Sequence, residues 1–554
     1  MIKLDPIRFL TVGVLCMLLF NQACQKSQEL PNVLVIMTDQ QSVNTIGAYG
    51  SKVCQTPNLD KVAKRGMIFH QSMAASYPCS PSRASLLTGQ YSHKHGVVTN
   101  NIELSETLPS LGNLLKSEGY ATAWFGKYHL GGFMHRNIPS NPKRSEGAER
   151  DRPWNGMWKY VRVDTIPGFE PGEGDYIKEL KDGHIYLAVE GGTGEDEASV
   201  GFDYWIGGWQ HYRDFLSENG YDSLVQNNHS VGAHGTAFAP MKPEGFGDSW
   251  HAWSIIPEAL HQEAYFVDEA ISYLEDHWNR EQPFGMVMSF YGPHHPLLPP
   301  KPWDDMYDMD QITLPATLDD QRKIGGLGTY RRDHWTDDQF KDYIRRYYGF
   351  TSYIDAQIGR LLTTLGEMGE MENTIVVFTS DHGDMAGEHG SIYKSILCSW
   401  DELLRVPLIF SYPPIVKENV GSHALVSNID VLPTILELIG VETPESLDGE
   451  SFDNVLRNPE SLHRDILFTS VMGANFTATT REWKYNLNIP TDVQDELYDR
   501  INDPDEMNNL VDDPEYQHEV QRMKRQIIDW LKQTGHPYVK EISASKKALT
   551  KDLI

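Results

Sequence analysis

The stretch SYPCSPSRASLLTG, residues 76–89, places a cysteine two residues before a proline and four before an arginine. Pro81 suits the first turn of a helix, where a missing N–H costs nothing, and Ser80 or Ser82 is available to cap it. On such a helix Cys79 and Arg83 face the same side. An anion held beside residue 79 would then meet free backbone N–H groups, the positive helix end and a guanidinium fork. These residues alone leave Cys79 open as a thiol nucleophile, a metal ligand, half of a disulfide or a side chain that is chemically rewritten before use.

Four more polar clusters follow short apolar runs. Asp39 and Gln40 come after NVLVIMT, Lys127 and His129 after ATAWFG, His294 and His295 after VMSFYGP, and Asp381 and His382 after TIVVFTS. Asp39 and Asp381 are hard oxygen donors suited to a divalent cation. Lys127 and His129, two apart, point the same way if their segment is extended. Cationic side chains stabilise developing negative charge, and imidazoles transfer protons near neutral pH.

The elements that must position these groups are legible as periodicity. NVLVIM (32–37), ATAWF (121–125), FGMVMSF (284–290), TIVVFTS (374–380) and VPLIFSY (406–412) read as buried strands. Between them lie helical patterns: LPSLGNLLKSEG, the set Val267, Ile271 and Leu274, and the set Ile354, Ile358, Leu361 and Leu365. Strands alternating with helices predict an α/β fold on a mostly parallel sheet covered on both faces, with ligands at the carboxyl ends of the strands. Residues 138–256 lose regular periodicity and read as a substrate-facing insertion in a 28–440 catalytic domain, with a smaller unit over 441–545. Aromatic residues in DYWIGGWQHY are expected mainly in the core, with stacking on sugar rings as the other reading.

CSPSRASLLTG resembles the maturation signature of type I sulfatases, Cys-x-Pro-x-Arg, through Cys79, Pro81, Arg83 and the LLTG that follows. NVLVIMTDQ, GYATAWFGKYHLG, PHHP, TSDHGDMAGEHG and LYDRINDPDEMNNL resemble that family's landmarks in order, from about residue 31 to 535. The resemblance implies an alkaline phosphatase-like sandwich with a large, mostly parallel central sheet and a smaller C-terminal α+β subdomain with an antiparallel sheet. It implies that a formylglycine-generating enzyme converts Cys79 to 3-oxoalanine (Cα-formylglycine). The hydrated aldehyde then attacks sulfur through one hydroxyl and expels sulfate through the other. The metal implied is Ca²⁺, with Mn²⁺ or Mg²⁺ as alternatives, held by Asp39, Gln40, converted Cys79, Asp381 and His382. Relatives often carry Asp and Asn where this chain has Gln40 and His382. By the same resemblance Lys127 and Lys394 neutralise sulfate, His129 works at the formylglycine hydroxyl and His294 protonates the leaving oxygen. His295, His95 and His211 are further pocket candidates.

At 554 residues with 40% hydrophobic and 23% charged composition, the chain is globular and long enough for one large domain and a smaller one. A net charge of -29 argues against nucleic acid as a partner, because that affinity comes from cations on phosphates. It leaves an anionic small molecule or polysaccharide open, since salt screens remote charge beyond about 10 Å. Lys3 and Arg8, the apolar run over 9–20 and Ala23-Cys24 read as a 1–24 export signal, cleaved simply or lipidated at Cys24. The mature protein is thus expected in the periplasm or at the outer membrane or cell surface of a bacterium, touching membrane only through such an anchor. Of five cysteines, Cys54, Cys79 and Cys398 lie beyond the leader, leaving a Cys54–Cys398 bridge open.

The expected activity is removal of sulfate from a sulfated carbohydrate. Two rivals stand beside it: a phosphonate or phosphate ester hydrolase of the same superfamily, and a sulfoglycan-binding lipoprotein whose Cys79 is never converted.

Overall fold

The computed structural model describes residues 30–100, 102–131, 161–162, 177–179, 185–187, 200–221, 254, 256–322, 330–394, 398–473, 475–489, 493–537 and 539. The expected leader, with Cys24, and most of the expected insertion lie outside these residues. The strands are β1 Asn32–Thr38, β2 Met67–Met73, β3 Ser76–Tyr77, β4 Ala121–Gly126, β5 Val161–Arg162, β6 Ile177–Glu179, β7 Ile185–Leu187 and β8 Tyr204–Ile206. They continue with β9 Phe284–Ser289, β10 Thr374–Ser380, β11 Leu408–Ser411, β12 Val420–Ser427, β13 Leu467–Val471, β14 Asn475–Thr479, β15 Trp483–Asn488 and β16 Glu496–Asp499.

Eight strands form the main sheet in the order β12-β2-β11-β10-β1-β9-β4-β8. Only β11 runs against its neighbours; β10, β1, β9, β4 and β8 are mutually parallel. The apolar runs are buried on both faces because alternate residues feed opposite cores. Val33, Val35 and Met37 of β1 enter one hydrophobic cluster, and Leu34 and Ile36 enter the other. The second face is covered largely by the 31-residue helix Asp337–Glu367, whose Ile354, Ile358, Leu361 and Leu365 are all buried. Thr336 starts that helix with a capping box closed by Gln339.

The smaller sheet has the order β16-β15-β14-β13-β3 and is antiparallel except where β13 meets β3. Helix Gln517–Gln533 buries Val520, Met523, Ile527 and Leu531 in a cluster with Phe476, Tyr485 and Leu497 of β14–β16. This sheet is not self-contained: its edge strand β3 comes from residues 76–77, immediately before Pro78 and Cys79. The Ser470 N–H donates to the Ala75 carbonyl and the Met472 N–H to the Tyr77 carbonyl. The C-terminal sheet therefore holds the chain as it enters the Cys79 helix.

The Cys54–Cys398 bridge left open by the sequence is not formed. Cys54 lies against Tyr348 and Ser352, while Cys398 packs with Trp400, Leu403 and Tyr77, and both are free buried thiols. Among the described residues no helix is long and apolar enough to cross a membrane.

Asp430 joins the segment after β12 to residues 448–464. Its carboxylate accepts from the Ser427 and Glu450 N–H groups and from Arg464 at 2.6 and 2.9 Å, all in a fully buried position. Burial alone would raise its pKa, but Arg464 and His463 outweigh that and hold it well below the usual range. Replacing Asp430 by Ala strands Arg464, and a loss of about 3–5 kcal/mol in unfolding free energy is expected by denaturant titration. Because the folded pKa is depressed, Asp430's contribution is present above its unfolded pKa and fades as pH falls through the folded value. The variant should accordingly show a shallower acid limb than the parent below about pH 4.

Candidate active site

Strands β10, β1, β9 and β4 are adjacent and parallel, and their register aligns their carboxyl ends. Thr38 pairs with Ser380, while Met37 and Gly126 both pair with Ser289. Asp39, Gln40, Asp381, His382, Lys127 and the loop to His294 consequently leave the sheet along one edge. The helix Cys79–Thr88 brings Cys79 and Arg83 to the same place.

Arg83 is the hub. Its Nη2 donates to Asp39 Oδ2 at 2.9 Å and its Nε to Asp381 Oδ2 at 2.9 Å. Nη1 donates to the Lys127 carbonyl and to Ser289 Oγ, at 3.0 and 2.8 Å. The guanidinium expected to face an anion is thus committed to the two carboxylates, since both are buried and need a counter-charge. The helix start differs from expectation too. It has no side-chain cap: Ser80 Oγ donates to the His129 carbonyl, Ser82 Oγ to the Asp381 carbonyl, and Asn100 Oδ1 takes the Ser80 N–H.

Cys79 Sγ lies 2.9 Å from Lys394 Nζ, 3.1 Å from His382 Nε2 and 3.9 Å from Asp39 Oδ1. Burial and Asp39 push the thiol up, but Lys394, His382 and Lys127 outweigh them and its pKa is lowered. Burial likewise opposes charge on Asp39, yet Lys127, 2.5 Å away, together with Arg83, Lys394 and His382, holds its carboxyl well below the usual range. Burial disfavours the Lys394 ammonium, while the Cys79 sulfur, Tyr393 and Asp39 overcome it and raise its pKa. Three fixed cations, Arg83, Lys127 and Lys394, face two carboxylates here. Although the chain is strongly acidic, this pocket favours an anion.

The donor set fits a divalent cation. One ligand atom from each of Asp39, Cys79, Asp381 and His382 lies within 4.8 Å of the others, all four residues buried. Arg83 takes Oδ2 of both aspartates and leaves each Oδ1 on the cluster side, where Asp381 Oδ1 also accepts the Gln40 and His382 N–H groups at 3.0 and 2.8 Å. The His382 Nδ1–H donates to the Gly383 carbonyl, an acceptor only, which leaves the Nε2 lone pair for a ligand. Gln40 adopts a left-handed backbone, φ 64°, and its Nε2 donates to Asp384 Oδ2 at 2.5 Å. With the amide's donor end held by a carboxylate, its buried Oε1 has no protein hydrogen-bond partner and is available to a cation.

His294 Nε2 lies 2.9 Å from Lys394 Nζ, and its Nδ1 donates to the His295 carbonyl. His295 stacks on His294 and contacts the ring of Tyr393, forming a wall of the pocket beside His294. The segment carrying Lys127 and His129 is not extended as expected: His129 has φ 59° and turns at the end of β4. Burial, then Lys127 and Arg83, keep its imidazole well below the ordinary pKa, so it is neutral. Two pocket candidates fall elsewhere. His95 bonds Ser85 Oγ and the Val97 N–H in the core beneath the helix, where burial lowers its pKa to about 3. His211 bonds the Gly207 carbonyl and packs edge-on to Trp205; Tyr204 is half-buried against Phe125 and Tyr273 at the core's edge, and Tyr212 lies inside the core.

Sequence reading missed Asp384, which orients Gln40 while accepting from Tyr343 Oη and the Ala386 and Tyr393 N–H groups. Its only signal is its place three residues after Asp381. It also missed Ser289, the last residue of β9, and Asn428, which bonds Ser82 and the Ala75 N–H.

Comparison with known proteins agrees with this geometry. A sulfatase family model matches residues 31–156 and 183–441, and the model for the C-terminal region of N-sulphoglucosamine sulphohydrolase matches 387–533. The chain is 28% identical to an uncharacterized sulfatase of Escherichia coli, over 92% of this chain and 88% of that one. It is 26% identical to an N-acetylglucosamine-6-O-sulfatase of Bacteroides thetaiotaomicron, over 92% and 87%. Its fold resembles the solved phosphonate monoester hydrolase of Agrobacterium radiobacter with a TM-score of 0.69 at 21% identity, covering 91% and 96%. A buried cation-lined pocket at four parallel strand ends, together with a family model spanning well over half the residues, establishes that this chain belongs to the sulfatase family of sulfuric ester hydrolases.

Proposed function

We propose that the protein removes sulfate from a sulfated carbohydrate, with Cys79 converted to Cα-formylglycine and with a divalent cation, Ca²⁺ first, held by Asp39, Gln40, residue 79, Asp381 and His382. The observation that carries this reading is the placement of Cys79 Sγ within 3.1 Å of both Lys394 Nζ and His382 Nε2 in an electropositive pocket. In this reading Sγ stands where a hydroxyl oxygen of the hydrated aldehyde belongs. The carbohydrate class is supported by the relative that acts as an N-acetylglucosamine-6-O-sulfatase. The apolar run at 9–20 followed by Ala23-Cys24 supports export, with lipidation at Cys24 or simple cleavage.

When bound, the cation supplies Lewis-acid polarisation of the ester and of the nucleophilic hydroxyl. The protein's own groups do the rest. Arg83 fixes the two aspartates and thereby the height of the site above the sheet. Lys127 and Lys394 offset the charge of the sulfate oxygens, which grows as the ester bond breaks. Neutral His129 takes a proton from a hydroxyl of residue 79, and His294, in its imidazolium form, delivers one from Nε2 to the departing sugar oxygen and returns to the neutral ring whose Nδ1–H stays on the His295 carbonyl. Burial of these groups excludes bulk water and strengthens each interaction.

The tryptic peptide Gly66–Arg83, from protein made beside a formylglycine-generating enzyme, is expected to have lost its thiol sulfur and gained an aldehyde oxygen. An intact thiol in a host that converts other sulfatases would reject the mechanism and favour the binding-protein reading. Lys394→Ala should lower kcat/KM by about 10²–10³-fold on the same protein, read by sulfate release. Calcium at about 100 times its Kd should stabilise the fold by about 2.7 kcal/mol in thermal unfolding, and chelation should remove both that gain and turnover. Matched panels decide the substrate. Sulfated oligosaccharides are expected to release sulfate faster than aryl sulfates or aryl phosphonates, and preferential phosphonate turnover would instead select the phosphonate hydrolase that neutral Gln40 and His382 leave open.

A further inference from the structure

Behind the pocket sits a carboxylate that no step above uses. Glu263, in the first turn of the helix Gln262–Ser272, is 0% exposed. Its Oε1 accepts the Gly292 N–H at 2.8 Å and its Oε2 the Tyr291 N–H at 3.3 Å. We propose that Glu263 is the positioning residue for the leaving-group acid: its carboxylate clamps the backbone that carries His294 and ties it to Asp39. The proposal deepens the sulfatase reading and rests on His294 acting as that acid.

The geometry follows from how β9 ends. The Phe290 N–H still bonds the Met37 carbonyl, but beyond it the chain leaves the sheet and two consecutive N–H groups turn inward. Buried N–H groups require acceptors. A carboxylate offers two oxygens to two donors, whereas the amide of Gln offers only one. The peptide held in this way passes its order on, because the Gly292 carbonyl accepts the Asp39 N–H at 3.1 Å. Two residues later His294 presents Nε2 to Lys394.

The other end of the loop is tied to the same helix. His261 caps it: its Nε2–H donates to the Leu298 carbonyl at 3.2 Å and its Nδ1 accepts the Glu263 N–H at 3.4 Å. Both bonds need the same neutral tautomer, and burial keeps His261 neutral by lowering its pKa to about 4. One helix turn thus grips the loop at 291–292 and at 298. A Cβ added at Gly292 would lie 2.6 Å from Phe350 Cζ, so the loop packs closely against the long helix at the residue that Glu263 holds. Burial pushes the Glu263 carboxyl up to about 7, and the Gly292 and Tyr291 N–H groups offset it only in part. A buried acid held at that balance serves these two donors and touches no reacting atom.

The test compares matured wild-type protein with Glu263→Gln and His294→Ala on a nitrophenyl sulfate and on an alkyl or sugar sulfate, whose leaving group needs a proton. His294→Ala should lose about 10²–10⁴-fold in kcat on the poor leaving group and far less on nitrophenyl sulfate. Glu263→Gln should show the same split at smaller size, about 10–10²-fold against threefold or less, with KM within about twofold. An equal loss on both esters, or none, beside a split for His294→Ala overturns the role of Glu263. Absence of the split in His294→Ala overturns the acid assignment itself, and the proposal with it. Should Glu263→Gln not fold, Glu263→Asp keeps the charge on a shorter stem and must show the split. A crystal structure of whichever variant folds should place His294 Nε2 away from Lys394 Nζ by about 1 Å, and an unmoved 291–294 backbone would equally overturn the proposal.

Discussion

Everything in this molecule that bears on chemistry hangs on one buried guanidinium. Arg83, Asp39 and Asp381 have no exposure at all, so each charge has lost its hydration and depends on the others. Two carboxylates at neighbouring strand ends would repel one another without a cation between them. Arg83 supplies that cation from a helix, not from the sheet, and so locks the Cys79 helix to β1 and β10 in one orientation. A lysine could not do this, because only the planar fork reaches both carboxylates, the Lys127 carbonyl and Ser289 at once. The Cys79–Arg83 spacing is the consequence: one helical turn separates Cys79 from the group that fixes its height.

This arrangement separates structural charge from working charge. Arg83 neutralises the outer oxygens of the aspartates, so their inner oxygens remain for a cation. Lys127 pairs with Asp39 as well, which leaves Lys394 as the surplus positive charge beside Cys79. Histidines around the pocket differ in state because their neighbours differ. His129 lies among cations, which with burial lower its pKa, whereas His382 lies beside Asp381 and Cys79, which overcome burial and raise its pKa while its Nε2 still faces the donor cluster. A single overall charge for the chain conveys nothing of this, since the relevant field is local and shielded from the acidic surface.

Much of the design was legible in the sequence because it is encoded locally. Continuous β-branched runs identify parallel strands buried on both faces, and polar residues placed just after them identify the site edge; β1, β4, β9 and β10 all lie where the runs predict. What was not legible depends on contacts between distant segments. Nothing in SYPCSPSR announces that Ser76–Tyr77 will pair with β13, nearly four hundred residues later. Nor does the sequence show that Ser80 and Ser82 will bond the His129 and Asp381 carbonyls instead of capping their own helix. A serine at a helix start is a cap only when no stronger or better-placed acceptor is near, and that condition is tertiary. The same holds for Arg83: its type and spacing reveal a cation near residue 79, but not which anions claim it.

The pairing of β3 with β13 also explains why a C-terminal sheet accompanies the catalytic sheet at all. β2 ends at Met73 in the main sheet, and Ser76–Tyr77 have already left it when the Cys79 helix begins. Their backbone groups still need partners, and β13 provides them. Asn428 closes the remaining gap by accepting the Ala75 N–H and donating to Ser82. The segment from Ala75 to Arg83 is thus fixed before residue 79 by the small sheet and after it by the strand ends of the large one. A residue clamped on both sides has little freedom to lose when substrate arrives, which is the entropic condition that the attack proposed for residue 79 requires. The second sheet belongs to the active site in this sense, and its Tyr77 reaches the site directly, edge-on to the ring of His382.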